Sequence, residues 1–93
     1  MSDDLCLSRE MTVLNAYGIH ARPAALFVKT ANRFSSEITV EHKGAKVSAK
    51  SIMGLLTIEG HQGAVLKIDA CGSDAVEALN ALEELFILKF NED

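Results

Sequence analysis

The chain has 93 residues, of which 48% are hydrophobic, with a formal net charge of -4 and no tryptophan. That length suits one domain over 1–93 and leaves no room for a large cofactor pocket with walls of its own. An acidic composition with one tyrosine and no basic block excludes the usual nucleic-acid binder, and no apolar run is long enough to span a bilayer. The start, Met1-Ser2-Asp3-Asp4, lacks the basic region of a signal peptide. A cytoplasmic monomer without cofactor or metal is expected.

The elements follow in chain order. Leu5 to Leu14 carries apolar residues at Leu5, Leu7, Met11 and Val13 and reads as an opening strand. Asn15-Ala16-Tyr17-Gly18 is a loop. Ala21 to Arg33 is rich in helix formers and free of internal glycine, which predicts a helix with Phe27, Val28, Ala31 and Phe34 facing the core and Leu26 exposed. Ser35-Ser36 breaks the pattern. Glu37 to Glu41 alternates and is rich in β-branched residues, Lys43-Gly44 is a turn signal, and Lys46 to Ala49 returns as the second strand of a hairpin. Ser51 opens a short helix, Ile52 to Ile58, ending near Gly60.

Ala64 to Cys71 is the last strand. Asp74 and Glu77 have the spacing of a capping box, with Ser73 as an alternative cap. The closing helix, Ala75 to about Phe90, is expected to bury Val76, Leu79, Leu82 and Phe86. Its apolar tail, Leu85 to Phe90, serves either extra core packing or weak self-association. Three amphipathic helices and four short strands, in the order β-α-β-β-α-β-α, predict an α+β domain with helices on one face of an antiparallel sheet. Cys6 and Cys71 form no Cys-x-x-Cys motif and are expected as free thiols, although antiparallel pairing of the first and last strands would make them neighbours. His42 and His61 lack metal-ligand spacing and are expected on the surface.

Two stretches carry chemistry. In Gly18-Ile19-His20-Ala21-Arg22-Pro23-Ala24-Ala25, Pro23 falls in the first helical turn, where its missing N–H costs nothing. His20 then stands at or beside the N-cap. Free N–H groups and the positive end of the helix dipole converge there, which suits an anion, and Arg22 adds a fork of donors for phosphate oxygens. The helix terminus and the arginine both disfavour imidazolium, leaving a neutral, nucleophilic ring for reversible phosphorylation. Phosphoryl transfer is mostly positioning and charge stabilisation, so a small metal-free domain can take part. The plain alternative is that His20 only caps a helix and Arg22 is solvated.

The second stretch is Lys50-Ser51-Ile52-Met53-Gly54-Leu55-Leu56. Ser51 is a good N-cap as it stands. As a phosphorylation site it would add about -1.5 to -2 charges to the surface without unfolding the helix. Ile52 and Met53 are then either an exposed docking patch or core.

Together the two stretches make the chain resemble the HPr family, the histidine-containing phosphocarriers of the bacterial phosphoenolpyruvate-dependent phosphotransferase system. The resemblance runs over roughly residues 8 to 88. It implies an open-faced β-sandwich, with a four-stranded antiparallel sheet in the order 1-4-2-3 covered on one face by three helices. It implies that His20 accepts a phosphoryl group on Nδ1 from phospho-enzyme I and passes it to a histidine of an enzyme IIA protein or domain, with Arg22 holding the group. Docking surfaces carry over to Ala21, Ala25, Lys29, Ile52, Met53 and Leu56. Ser51 matches the serine modified by HPr kinase/phosphorylase, where added charge would repel acidic enzyme I. Position 32 is Asn where some relatives carry a second basic residue, although Arg33 adjoins it. The retained His20 argues against the catabolite-repression paralogue. A regulatory module of the nitrogen-related branch, acting by phosphorylation-dependent binding, is the alternative function. A structural domain without phosphochemistry is the other.

Overall fold

Alternation along the strands sorts their side chains onto two faces, and the rest of the architecture follows. The computed structural model describes residues 5–92; the acidic start Met1-Ser2-Asp3-Asp4 and Asp93 lie outside the described residues. The strands are β1 (Cys6–Thr12), β2 (Glu37–His42), β3 (Ala45–Ser48) and β4 (Val65–Cys71). All pair antiparallel, in the order 1-4-2-3. Met11 lies opposite Leu66, and Val40 opposite both Ile68 and Val47. These apolar residues share one face, while Glu10, Thr12 and Lys67 line the solvated one. A one-residue slip would turn every buried side chain outward, so the register is strongly specified.

Helices α1 (Ala21–Ala31), α2 (Ile52–Thr57) and α3 (Ala75–Ile87) cover the apolar face. Phe27 of α1 meets Phe86 of α3 edge-on, with ring centroids 5.9 Å apart. Burial of each ring contributes about 1.5–3 kcal/mol. The result is the open-faced α+β sandwich anticipated above, with β1-α1-β2-β3-α2-β4-α3 in chain order. β1 is shorter than Leu5 to Leu14, and Leu5 and Leu14 at its flanks are exposed.

Several local expectations are corrected. Helix α1 ends at Ala31, because the Arg33 and Phe34 N–H groups bond three residues back and tighten the last turn. Leu26 packs half-buried against the core. In α3 the buried stripe runs through Ala75, Ala78, Leu79, Leu82 and Phe86, which leaves Val76 outside it and exposed. The helix stops at Ile87, and only Phe86 and Phe90 of the tail are fully buried; Ile87 and Leu88 face solvent. His42 is buried and its Nδ1–H donates to the Ile58 carbonyl at 2.8 Å, because strand alternation turns it toward the helices.

No capping box forms at α3. Asp74 is the N-cap residue, but its carboxylate accepts from the backbone N–H groups of Ser35 (2.9 Å) and Ser36 (3.0 Å) and from both serine hydroxyls. The bond from the Ser36 hydroxyl, with the backbone bond from Ser35, holds the Asp74 carboxyl below its ordinary value of 3.8, against a smaller opposing effect of burial. Cys6 and Cys71 are joined as a disulfide and are not free thiols. The register explains this: the two cysteines are direct partners across β1 and β4.

Candidate functional site

The loop between β1 and α1 must turn sharply to bring a side chain onto the helix mouth. Gly18 makes that turn at φ +71°, a conformation open mainly to glycine. The Ile19 N–H then donates to the Gly60 carbonyl at 2.7 Å, pinning the loop to the segment between α2 and β4. His20 follows as the N-cap of α1, in extended conformation. Its carbonyl accepts the Ala24 N–H at 2.9 Å, while its side chain makes no capping bond. The imidazole is therefore free of a structural capping duty. Pro23 is buried in the first turn, as its covalent geometry allows. The N–H groups of Ala21 and Arg22 lie one turn too early for any intrahelical acceptor. Neither has a protein partner among the described residues.

Arg22 is exposed and lines, with Tyr17, Asn91 and Glu92, a shallow concavity of about 300 Å³. Tyr17 is 82% exposed, and its ring stands edge-on to the imidazole with centroids 6.2 Å apart. The unanticipated member is Glu92. Its Oε2 lies 3.0 Å from His20 Nε2, and its Oε1 accepts from Asn15 Nδ2 at 3.0 Å. Asn15 is fully buried, and the same amide donates to the Gly18 carbonyl at 2.8 Å. Burial pushes the Glu92 carboxyl up, but the hydrogen bonds from Asn15 and His20 and the charges of His20 and Arg22 outweigh it. The group stays below its ordinary value of 4.5. The helix terminus and Arg22 are thus answered by a carboxylate.

Glu92 reaches the site because the chain reverses after α3. Lys89, Phe90 and Asn91 all take left-handed conformations, with φ of 55°, 53° and 62°. Such residues cost about 1–2 kcal/mol each. Fully buried Phe90, packed 5.1 Å from the Phe86 ring, offsets part of that cost. No local motif signals this contact. Asn15 and Glu92 are 77 residues apart in sequence.

The second stretch forms the N-terminus of α2, which packs against α1. Ser51 is its N-cap, and Oγ accepts the Gly54 N–H at 3.0 Å. Ile52, Met53 and Leu56 are exposed and not core, Met53 to 73%. Ala21, Ala25 and Lys29 are exposed on the neighbouring helix. Among the described residues no group of three His, Cys, Asp or Glu side chains is arranged to hold a metal. No helix among them is long and apolar enough to cross a membrane.

The open-faced α+β sandwich, with three helices over a four-stranded antiparallel sheet ordered 1-4-2-3, defines a class of small domains in which known proteins are found. Residues 7–87 match the family model described as "PTS HPr component phosphorylation site". The chain is 45% identical over 87 residues to the phosphocarrier protein HPr of Xylella fastidiosa (strain Temecula1), covering 94% of this chain and 98% of the relative. It is 45% identical over 85 residues to HPr of Treponema pallidum (strain Nichols), covering 91% and 97%. The crystal structure of HPr-C-His from Thermoanaerobacter tengcongensis superposes with a TM-score of 0.90 at 48% identity, covering 94% and 98%. The chain belongs to the HPr family, the phosphocarriers of the phosphotransferase system.

Proposed function

We propose that His20 is the phosphoacceptor of this chain. It takes a phosphoryl group on Nδ1 from phospho-enzyme I and hands it to a histidine of an enzyme IIA protein or domain, acting as a monomer in the cytoplasm. The observation that carries this reading is a partly exposed imidazole at an α1 N-terminus whose first N–H groups have no partner among the described residues, with Arg22 alongside. In the transfer the Nδ1 lone pair attacks phosphorus while the nitrogen–phosphorus bond of the donor breaks, its electron pair returning to the donor ring. The oxygens of the transferred group are met by the N–H groups of Ala21 and Arg22 and by the guanidinium. No proton has to be supplied and no metal is needed.

The exposed residues Ala21, Ala25, Lys29, Ile52, Met53 and Leu56 form the docking surface, with methionine suited to several partners. Ser51 lies inside this surface. Phosphorylation there by an HPr kinase/phosphorylase would keep an acceptor oxygen on the Gly54 N–H and place charge against acidic enzyme I.

The test is incubation with phosphoenolpyruvate and enzyme I, followed by intact-mass spectrometry. One acid-labile phosphate is expected on the wild type and none on a folded His20→Ala variant. Phosphate on that variant would overturn the assignment. Ser51→Asp should weaken enzyme I binding, and unchanged affinity would remove Ser51 from the docking surface. Offering the phosphorylated protein to sugar-branch and nitrogen-branch IIA proteins separates transport from regulation.

A further inference from the structure

We infer that Glu92 is a positioning residue for the phosphoryl acceptor, holding the His20 imidazole with its proton on Nε2 and its lone pair on Nδ1. The inference rests on His20 being the acceptor through Nδ1, and it adds what prepares that nitrogen. Glu92 Oε2 lies 3.0 Å from Nε2, within hydrogen-bond range. An ionised carboxylate can only accept, so the proton of that bond must sit on the imidazole nitrogen. A neutral ring with Nε2–H has its lone pair on Nδ1. Nδ1 has no hydrogen-bond partner among the described residues, so the ring is held from one side and open on the other.

The arrangement is built up over several contacts. The Glu92 side chain is only 12% exposed, whereas that of His20 is 43% exposed. Fully buried Asn15 grips the carboxylate through Nδ2, and the same amide holds the Gly18 carbonyl of the loop that carries His20. One amide thus sets the carboxylate and the loop relative to each other. Behind Glu92, the buried Phe90 anchors the left-handed reversal that aims residue 92 at the ring. The carboxyl is also held below its ordinary value, because the hydrogen bonds from Asn15 and His20 and the charges of His20 and Arg22 together outweigh burial. The logic is that of a carboxylate orienting a catalytic histidine, in which the acid fixes the tautomer and stabilises the cation without taking the proton.

The same contact acts during the reaction. When the Nδ1 lone pair forms the new bond to phosphorus, the donor's nitrogen–phosphorus bond breaks and its electron pair stays on the donor. The proton remains on Nε2 of His20, and the ring becomes cationic. Glu92 lies where that charge develops, so it stabilises the transition state more than the resting protein. When the group moves on to the next acceptor, the charge and the stabilisation disappear together, and transfer remains reversible.

The test pairs a spectroscopic readout with kinetics on the full chain. Nitrogen-15 NMR of the neutral imidazole reports which nitrogen bears the proton. The wild type should show the Nε2–H form with an Nε2 proton slow to exchange with water. In Glu92→Ala, the ratio of Nε2–H to Nδ1–H forms should fall roughly fivefold, the size of a partly exposed charge-assisted hydrogen bond. Glu92→Gln, whose amide can also donate to Nε2, should populate both forms. With phospho-enzyme I as donor, kcat for Glu92→Ala should fall by about fivefold to tenfold with KM unchanged. A variant that loses only stability would keep kcat at temperatures where it is folded. An unchanged tautomer ratio, or a changed ratio with an unchanged kcat, overturns the proposal. Failure of the wild type itself to accept phosphate would instead overturn the carrier reading. The NMR ratio would then decide the ring-orienting role by itself.

Discussion

Replacing Gly18 by alanine should damage the site through the loop that carries it. The residue sits at φ +71°, where a side chain costs about 1–2 kcal/mol. A Cβ there would also lie well inside van der Waals contact with the Gly60 carbonyl oxygen and 2.9 Å from the His61 Cα. Both are backbone atoms and cannot rotate away. The loop would have to move off Gly60, lengthening the Ile19 N–H bond to its carbonyl, which is worth about 1 kcal/mol. The total is about 2–3 kcal/mol, or a fall in Tm of about 10–20 °C for a domain of this size. At 25 °C most molecules remain folded if the wild type has the usual stability of about 5 kcal/mol or more. His20 is displaced even in those, and a shift of about 1 Å can cost on the order of 100-fold in rate. Phosphoryl acceptance should therefore fall at least about tenfold at 25 °C, beyond what unfolding explains. Thermal melts by circular dichroism and initial transfer rates provide the two readouts. Gly44→Ala is the control: its φ is +84° but a Cβ would meet nothing within 4 Å, so it should lose only the conformational part. A Tm within 3 °C or so of wild type for Gly18→Ala, with normal transfer, would refute the steric argument.

The Cys6–Cys71 bond closes a separation of 65 residues, and the chain-entropy account puts its contribution at about 4 kcal/mol or less. Oxidised protein should melt above the reduced form or the Cys6→Ser/Cys71→Ser double variant, by about 4–8 °C for each kcal/mol the bond contributes; coincident melts would show that the bond contributes nothing. Asp74 makes stability pH-dependent. Its carboxyl is lowered by folding, so it stabilises the protein above its ordinary value of 3.8, and this is lost as pH falls through the still lower folded value. Asp74→Asn should be less stable than wild type at pH 6 and close to it near pH 2, measured by urea titration at each pH. A difference of constant size across that range would contradict the assignment.

Much of the fold could be read locally because its signals are periodic. Strand β2 alternates over Glu37–His42, α3 repeats its apolar residues every three or four positions, and Pro23 and Ser51 mark helix starts by their own chemistry. Where the reading failed, a distant contact had overruled a local rule. Asp74 left its capping role because the Ser35 and Ser36 amides on another loop bind it instead. His42 is a different case: the strand runs one residue past Glu41, and the same alternation that buries Ile38 and Val40 turns His42 inward to Ile58. Val76 lies outside the buried stripe because the small Ala75 and Ala78 set the line along which α3 meets the sheet.

By itself the sequence determined the order of the elements, the helix that opens at His20, the arginine beside it and the serine that caps α2. Each is written within a few adjacent residues, as a periodicity, a cap or a fixed φ. The disulfide, the exposure of Ile52 and Met53, and the triad of Asn15, Glu92 and His20 were decided by tertiary structure. These depend on which strands pair, how far α2 leans on α1 and where the chain turns after α3. The disulfide and the Asn15–Glu92 contact join residues 65 and 77 positions apart. They exist only once burial of the shared core has set the register between elements that carry no local record of one another.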